Sequence, residues 1–93
     1  MQAHAHDAAV LLRSLANEKR LIILCQLVEG EQPVNAIHAH LEISQSALSQ
    51  HLALLRESGL VDTRREGQQV FYRLRDGPAG QIMNTLHEIY CGG

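Results

Sequence analysis

The sequence predicts a mostly α-helical fold with one β-hairpin, in the order α-α-α-α-β-β-α. Apolar residues recur at helical spacing in four successive segments before Gly59, and the period then switches to that of two short strands before one last helix. The breaks fall on residues that start or stop such elements, among them Asn17, Gly30, Ser44, Gly59 and Pro78.

Residues 7–16 form the first helix, with Ala8, Leu11, Leu12 and Leu15 at helical spacing. Asn17 offers a side-chain acceptor to cap a second helix. In that helix Leu21, Leu24, Cys25 and Val28 stand at i, i+3, i+4 and i+7, a core-facing stripe that Gly30 ends. Pro33 suits the start of a short helix over residues 34–41, with Val34, Ile37 and Leu41 inward. Ser44 caps the fourth helix, which reaches about Ser58 and turns Leu48, Leu52 and Leu55 to one face. Residues 60–65 and 70–75 read as strands around Glu66-Gly67-Gln68-Gln69, where Gly67 supplies the turn. Pro78 opens a last helix, residues 78–91, whose stripe is Ile82, Leu86, Ile89 and Tyr90.

The 93 residues accommodate a single domain. A chain of this size buries only about 60% of its unfolded surface, so its own core is thin. Yet 45% of the residues are apolar, a surplus that an apolar face shared with a second copy would absorb. No apolar run reaches the ~18 residues of a membrane span. The opening Met1-Gln2-Ala3-His4-Ala5-His6 has neither basic flank nor apolar region, so a cytoplasmic location is expected, with both cysteines as thiols. The net charge of −2 is unevenly spread. Residues 44–75 hold five arginines against three acids, whereas the rest holds three basic residues against seven acidic ones. The positive part is the one that could meet phosphates.

The short helix 34–41, the tight turn at Glu42-Ile43 and the capped helix after Ser44 read as a helix-turn-helix over residues 34–58, with the hairpin 60–75 as a wing. Ser44, Gln45, Ser46, Ser49, Gln50 and His51 crowd the N-terminal part of the second helix, the end that enters a major groove. Gln50 can pair bidentately with adenine, and Ser46 and Ser49 can serve bases or phosphates. Arg56, Arg64 and Arg65, with Gln68 and Gln69 at the wing tip, suit the DNA backbone. A solvated polar helix face would look similar by itself; the arginine-bearing hairpin directly after it favours double-stranded DNA as partner. Enzymatic work finds no support: there is no glycine-rich phosphate loop, no paired carboxylates on one face and no Cys-x-x-Cys.

These segments resemble the ArsR-type winged-helix repressors. The stretch Leu15-Ala16-Asn17-Glu18-Lys19-Arg20-Leu21-Ile22-Ile23-Leu24 is similar to that family's opening motif. The run from Leu48 to Val61 is similar to its recognition helix and exit, and the run from Arg64 to Leu74 to its wing. The resemblance covers residues 10–91. It implies a homodimer joined through the first and last helices, bound to an imperfect palindromic operator and released by a small inducer.

Many members of the family sense metals, but the ligand sets that the resemblance would supply are missing. Val34-Asn35-Ala36-Ile37-His38 has no Cys-x-Cys, Asp76-Gly77-Pro78 lacks the histidine of Asp-x-His, and His87-Glu88-Ile89-Tyr90 lacks the second histidine or glutamate. His38 and His40 point to different faces, and His4 and His6 are expected in a frayed tail. Only His87 and Cys91, at i and i+4, have a ligand-compatible spacing, and two ligands are too few without another from elsewhere. No metal site or other cofactor is therefore expected.

Cys25 and Cys91, one in the second helix and one ending the last, resemble the cysteine pair of the persulfide-responsive, BigR-like subgroup. The surroundings Leu24-Cys25-Gln26-Leu27-Val28-Glu29-Gly30-Glu31 and Ile89-Tyr90-Cys91 carry that likeness. It implies thiols that react with persulfide, polysulfide or oxidant, become bridged, and release DNA. The alternatives are a metal-responsive repressor, a ligand-independent repressor with inert cysteines, and a dimeric interaction module that has lost DNA binding.

Overall fold

A computed structural model describes residues 2–91. After a 3-10 turn at Gln2–His4 come helices α1 (Ala5–Leu15) and α2 (Glu18–Val28), then a two-residue strand β1 (Gln32–Pro33). Helices α3 (Val34–Ala39) and α4 (Gln45–Glu57), strands β2 (Val61–Glu66) and β3 (Gln69–Leu74), and helix α5 (Pro78–Tyr90) complete the chain. The expected order holds, with one addition. Strand β1 pairs antiparallel with β3, Gln32 opposite Tyr72 and Pro33 opposite Phe71, so the hairpin belongs to a three-stranded sheet in the order β1-β3-β2. Two residues are too few to show a period, and a proline fits here because β1 is an edge.

Local chemistry sets the element ends. Asn17 Oδ1 accepts from the Arg20 amide at 3.1 Å and starts α2. Ser44 Oγ accepts from the Ala47 amide at 3.1 Å and starts α4. Gly59, at φ 75°, takes the left-handed conformation that lets the chain leave α4 and enter β2. Strands β2 and β3 each run one residue nearer the tip than expected, pairing Glu66 with Gln69 and leaving Gly67-Gln68 as the loop. Gly67 has φ 62° and, among the described residues, no non-glycine residue has positive φ, which is the pattern of a type II′ hairpin turn.

Helix α2 lies at the centre, packed against α5, α4 and β3. Its fully buried residues are Ile23, Leu24 and Leu27, while Leu21, Cys25 and Val28 are partly buried. The core face is thus rotated from the expected stripe, because α2 is covered from more than one side. Leu48, Leu52 and Leu55 of α4, Ile37 of α3, Val61 of β2 and Met83 of α5 fill the rest of the core. In α5 the residues buried within the protomer are Ala79, Gly80 and Met83, not the Ile82–Tyr90 stripe. Ile89 and Tyr90 remain 62% and 81% exposed, and Val10 and Leu12 of α1 are 44% and 54% exposed. His4 and His6 lie in the 3-10 turn and the first turn of α1, rather than in a frayed tail. No helix is long and apolar enough to cross a membrane among the described residues.

Leu55 has no solvent exposure, so Leu55→Ala removes contacts that no rearrangement of the α4–α2 packing replaces. We expect a loss of about 2–5 kcal/mol, read as a lower urea midpoint at unchanged slope. A shift near zero would mean that α4 is not fixed by this core.

Candidate nucleic-acid interface and thiol site

Helix α4 buries one face and offers the other. Ser44, Gln45, Ser46, Ser49, Gln50 and Arg56 are exposed, and His51 is half-buried. Ser44 spends its hydroxyl on the cap and also lies 3.2 Å from Ser46 Oγ, so its role is to fix the helix start. The hairpin folds back beside this helix. Gln45 lines one depression together with Gln68, Gln69 and Val70 of the wing and Asn35 and His38 of α3. Ser49, Arg56, Val70 and Tyr72 line a second. The polar start of α4 and the wing tip therefore form one continuous surface. Asn35, exposed at the start of α3, shares it and was missed in the sequence, where a lone asparagine carries no periodic signal.

Arg64, expected to meet DNA backbone, lies exposed on β2 and is engaged within the chain. Its Nε and NH2 grip the Glu31 carboxylate at 2.7 to 3.1 Å, its NH1 reaches Glu66 Oε2 at 2.6 Å, and its guanidinium covers the Phe71 ring at 4.5 Å. The pair ties the wing to the loop after α2. Arg75 binds Asp62 Oδ1 at 2.7 Å, and Arg73 lies 3.4 Å from Asp62 Oδ2. Among the described residues no ion pair engages Arg56 or Arg65. Sequence alternation cannot tell which of two adjacent strand arginines turns toward Glu31, since that partner arrives through the β1–β3 pairing.

The guanidinium of Arg64 holds the Glu31 carboxyl below its ordinary range, and Arg75 does the same to Asp62. Both arginines are pushed upward in turn.

At the far side of α2, Cys25 meets the end of α5. The sulfur atoms of Cys25 and Cys91 and a ring nitrogen of His87 all lie within 4.8 Å of one another. Glu29 Oε1 lies 3.9 Å from His87 Nε2. Cys25 is half-buried and Cys91 exposed, both as free thiols. Burial pushes the Cys25 thiol up, and the hydrogen bond to Cys91 and the nearby Cys91 and Glu29 charges act the same way. The pair borders an apolar cleft of about 370 Å³ with Leu21, Met83, Leu86, His87 and Tyr90. His87, paired only with Cys91 by spacing, thus gains the third neighbour that the sequence alone did not supply. His38 and His40 do not meet: His38 Nε2 is 2.9 Å from the Ile43 carbonyl and His40 Nδ1 is 3.0 Å from that of Ala36.

A helix-turn-helix flanked by a hairpin, with its polar helix face and wing tip on one side, defines a winged-helix protein. The chain belongs to the arsR family of bacterial regulatory proteins, whose pattern matches residues 17–63. It is 50% identical over 91 residues to the transcriptional activator HlyU of Vibrio cholerae, covering 98% of this chain and 84% of that protein. It is 45% identical to the biofilm growth-associated repressor of Agrobacterium fabrum, covering 98% and 78%. In three dimensions it matches the reduced form of Vibrio cholerae HlyU with a TM-score of 0.92 at 49% identity, covering 98% and 96% of the two chains. It also matches the transcriptional repressor BigR of Xylella fastidiosa with a TM-score of 0.89 at 44% identity, covering 99% and 91%. The protein is a transcriptional regulator of this family.

A carboxylate whose folded pKa is depressed stabilises the fold above its unfolded pKa, and that contribution is lost as pH falls through the folded value. The Glu31–Arg64 clamp should therefore be intact at neutral pH and fail in acid, below the ordinary 4.5 of Glu31. The protection factors of the Val70 and Phe71 amides, with the intrinsic pH dependence of exchange divided out, should fall in that window, and Glu31→Gln should show the low protection already at pH 7. Protection in the variant equal to that of the wild type at pH 7 would show that the clamp does not hold the wing.

Proposed function

We propose that the protein is a homodimeric repressor that binds a palindromic operator and is released when sulfur joins Cys25 to Cys91. The observation that carries this reading is the meeting of two free thiols, from α2 and from the end of α5, within 4.8 Å. The apolar residues left exposed on α1 and α5, Val10, Leu12, Ile89 and Tyr90, support dimerisation through these two helices. Two copies would then present two α4 helices to successive major grooves, Gln45, Ser46, Ser49 and Gln50 toward base edges, with Arg56, Arg65, Gln68 and Gln69 toward the backbone. The likeness to the biofilm growth-associated repressor of Agrobacterium fabrum supports repression as the sign of regulation.

The thiol chemistry needs only a persulfide. The exposed Cys91 thiolate attacks the outer sulfur of R–S–SH, forming Cys91–S–SH and releasing RS⁻. The Cys25 thiolate then attacks the Cys91 sulfur of that adduct, closing a disulfide and releasing HS⁻. If Cys25 is persulfidated as well, its terminal sulfur makes the same attack and closes a trisulfide, again with loss of HS⁻. Each added sulfur lengthens the bridge, so a trisulfide spans the gap with less helix movement than a disulfide. The location of Cys25 on α2 supports transmission. That helix packs against α4, and the loop after it holds Arg64 of the wing through Glu31. Tightening α2 onto α5 therefore strains both parts of the DNA-facing surface.

Two experiments test the halves separately. On a duplex selected by the wild-type protein from a random pool, Gln50→Ala should cost about 1–3 kcal/mol of binding. Arg65→Ala should lower the salt slope by about one per protomer. Affinities and slopes unchanged in both would remove the DNA assignment. Separately, a low-molecular-weight persulfide added to reduced, metal-free protein should weaken DNA binding. Intact mass should then fall by two hydrogens, or rise by one sulfur less two hydrogens. Cys91→Ser should show neither response, and DNA affinity that ignores the reagent in the wild type would sink the switch.

A further inference from the structure

We propose that Cys25, His87 and Cys91, with Glu29 or a water completing the set, form a binding site for a soft divalent cation of the zinc class. Four potential ligands stand on two facing helices as two pairs at i and i+4. Cys25 stands on α2 with Glu29 at that helix's C-cap, and His87 stands in the last turn of α5 with Cys91 at its C-cap. That spacing puts both members of each pair on one helix side. The three soft donors already lie within 4.8 Å of one another, and Glu29 Oε1 is 3.9 Å from His87 Nε2. A tetrahedral zinc centre sets sulfur–sulfur edges of about 3.8 Å and sulfur–nitrogen edges of about 3.5 Å. From at most 4.8 Å the donors therefore need to close by roughly 1 Å for the sulfur pair and roughly 1.3 Å for sulfur and nitrogen, within reach of side-chain rotation because Cys91 and Glu29 are exposed.

The donor chemistry fits the same class of ion. Two thiolates and an imidazole favour zinc or cadmium over magnesium or calcium, which take oxygen. With water as the fourth ligand the two thiolates neutralise the dication beside apolar Leu21, Met83 and Leu86; with Glu29 the excess negative charge sits on its exposed, solvated carboxylate. Binding releases one proton from each thiol, and both sulfurs stay at the oxidation level of the thiol.

The inference uses the residues of the sulfur switch but does not depend on that switch operating. A bound cation occupies the sulfur lone pairs that would attack a persulfide, so metal and reactive sulfur compete for one site.

Reduced full-length protein titrated with Zn²⁺ against a chromophoric chelator should take up one ion per protomer. Cd²⁺ should produce an ultraviolet thiolate charge-transfer band of two-sulfur intensity. Cys91→Ser, at an exposed helix end where folding is undisturbed, should halve that band. It should also lose more affinity than the roughly 10–100-fold that removal of an outer-shell partner costs. His87→Ala should weaken Zn²⁺ by a similar factor while keeping both thiols. Metal-free His87→Ala should still form the persulfide-derived bridge, which separates failure of this site from failure of the switch. Full-strength binding in Cys91→Ser, or a Cd²⁺ complex without the charge-transfer band, would overturn the proposal.

Discussion

The position of helix α2 is the constraint on which the remaining structure depends. Ile23, Leu24 and Leu27 are buried, and the helix touches α4, the hairpin strand β3 and the last helix at once. In so small a protein the core has one middle, and α2 occupies it. Cys25 takes the edge of that middle, half-buried, where the last turn of α5 closes over it. One helix thus borders the thiol site on one side and α4 with the wing strand on another.

The wing depends on α2 in a second way. Glu31 follows the helix by a few residues, and its carboxylate holds Arg64 of β2 through both oxygens. An exposed pair of this kind adds little to stability. Its value is geometric, since a bidentate grip, a second carboxylate at Glu66 and the Phe71 ring fix where the hairpin stands. Strand β1 adds backbone pairing to the same junction. The wing is oriented by internal charge and leaves Arg65, its neighbour in the strand, turned to solvent.

Chemistry at the thiol site follows from the same packing. Burial and the neighbouring Cys91 and Glu29 disfavour the Cys25 thiolate, whereas Cys91 stands open at a helix end. In the proposed switch, this difference in exposure makes Cys91 the attacking thiol and Cys25 the resolving one. His87, one turn before Cys91, supplies a third donor that a simple dithiol would not need.

The sequence by itself determined everything that depends on local period and capping: the five main helices, the hairpin, the caps at Asn17 and Ser44, and the turn at Gly67. These follow from interactions within a few residues, and the polar face of α4 was legible for the same reason. Tertiary structure alone decided the partner of Arg64, the third strand at Gln32–Pro33, the rotation of the α2 core face and the meeting of Cys25 with His87 and Cys91. Each joins residues distant in the chain, and no periodicity records which distant residue packing will bring within reach.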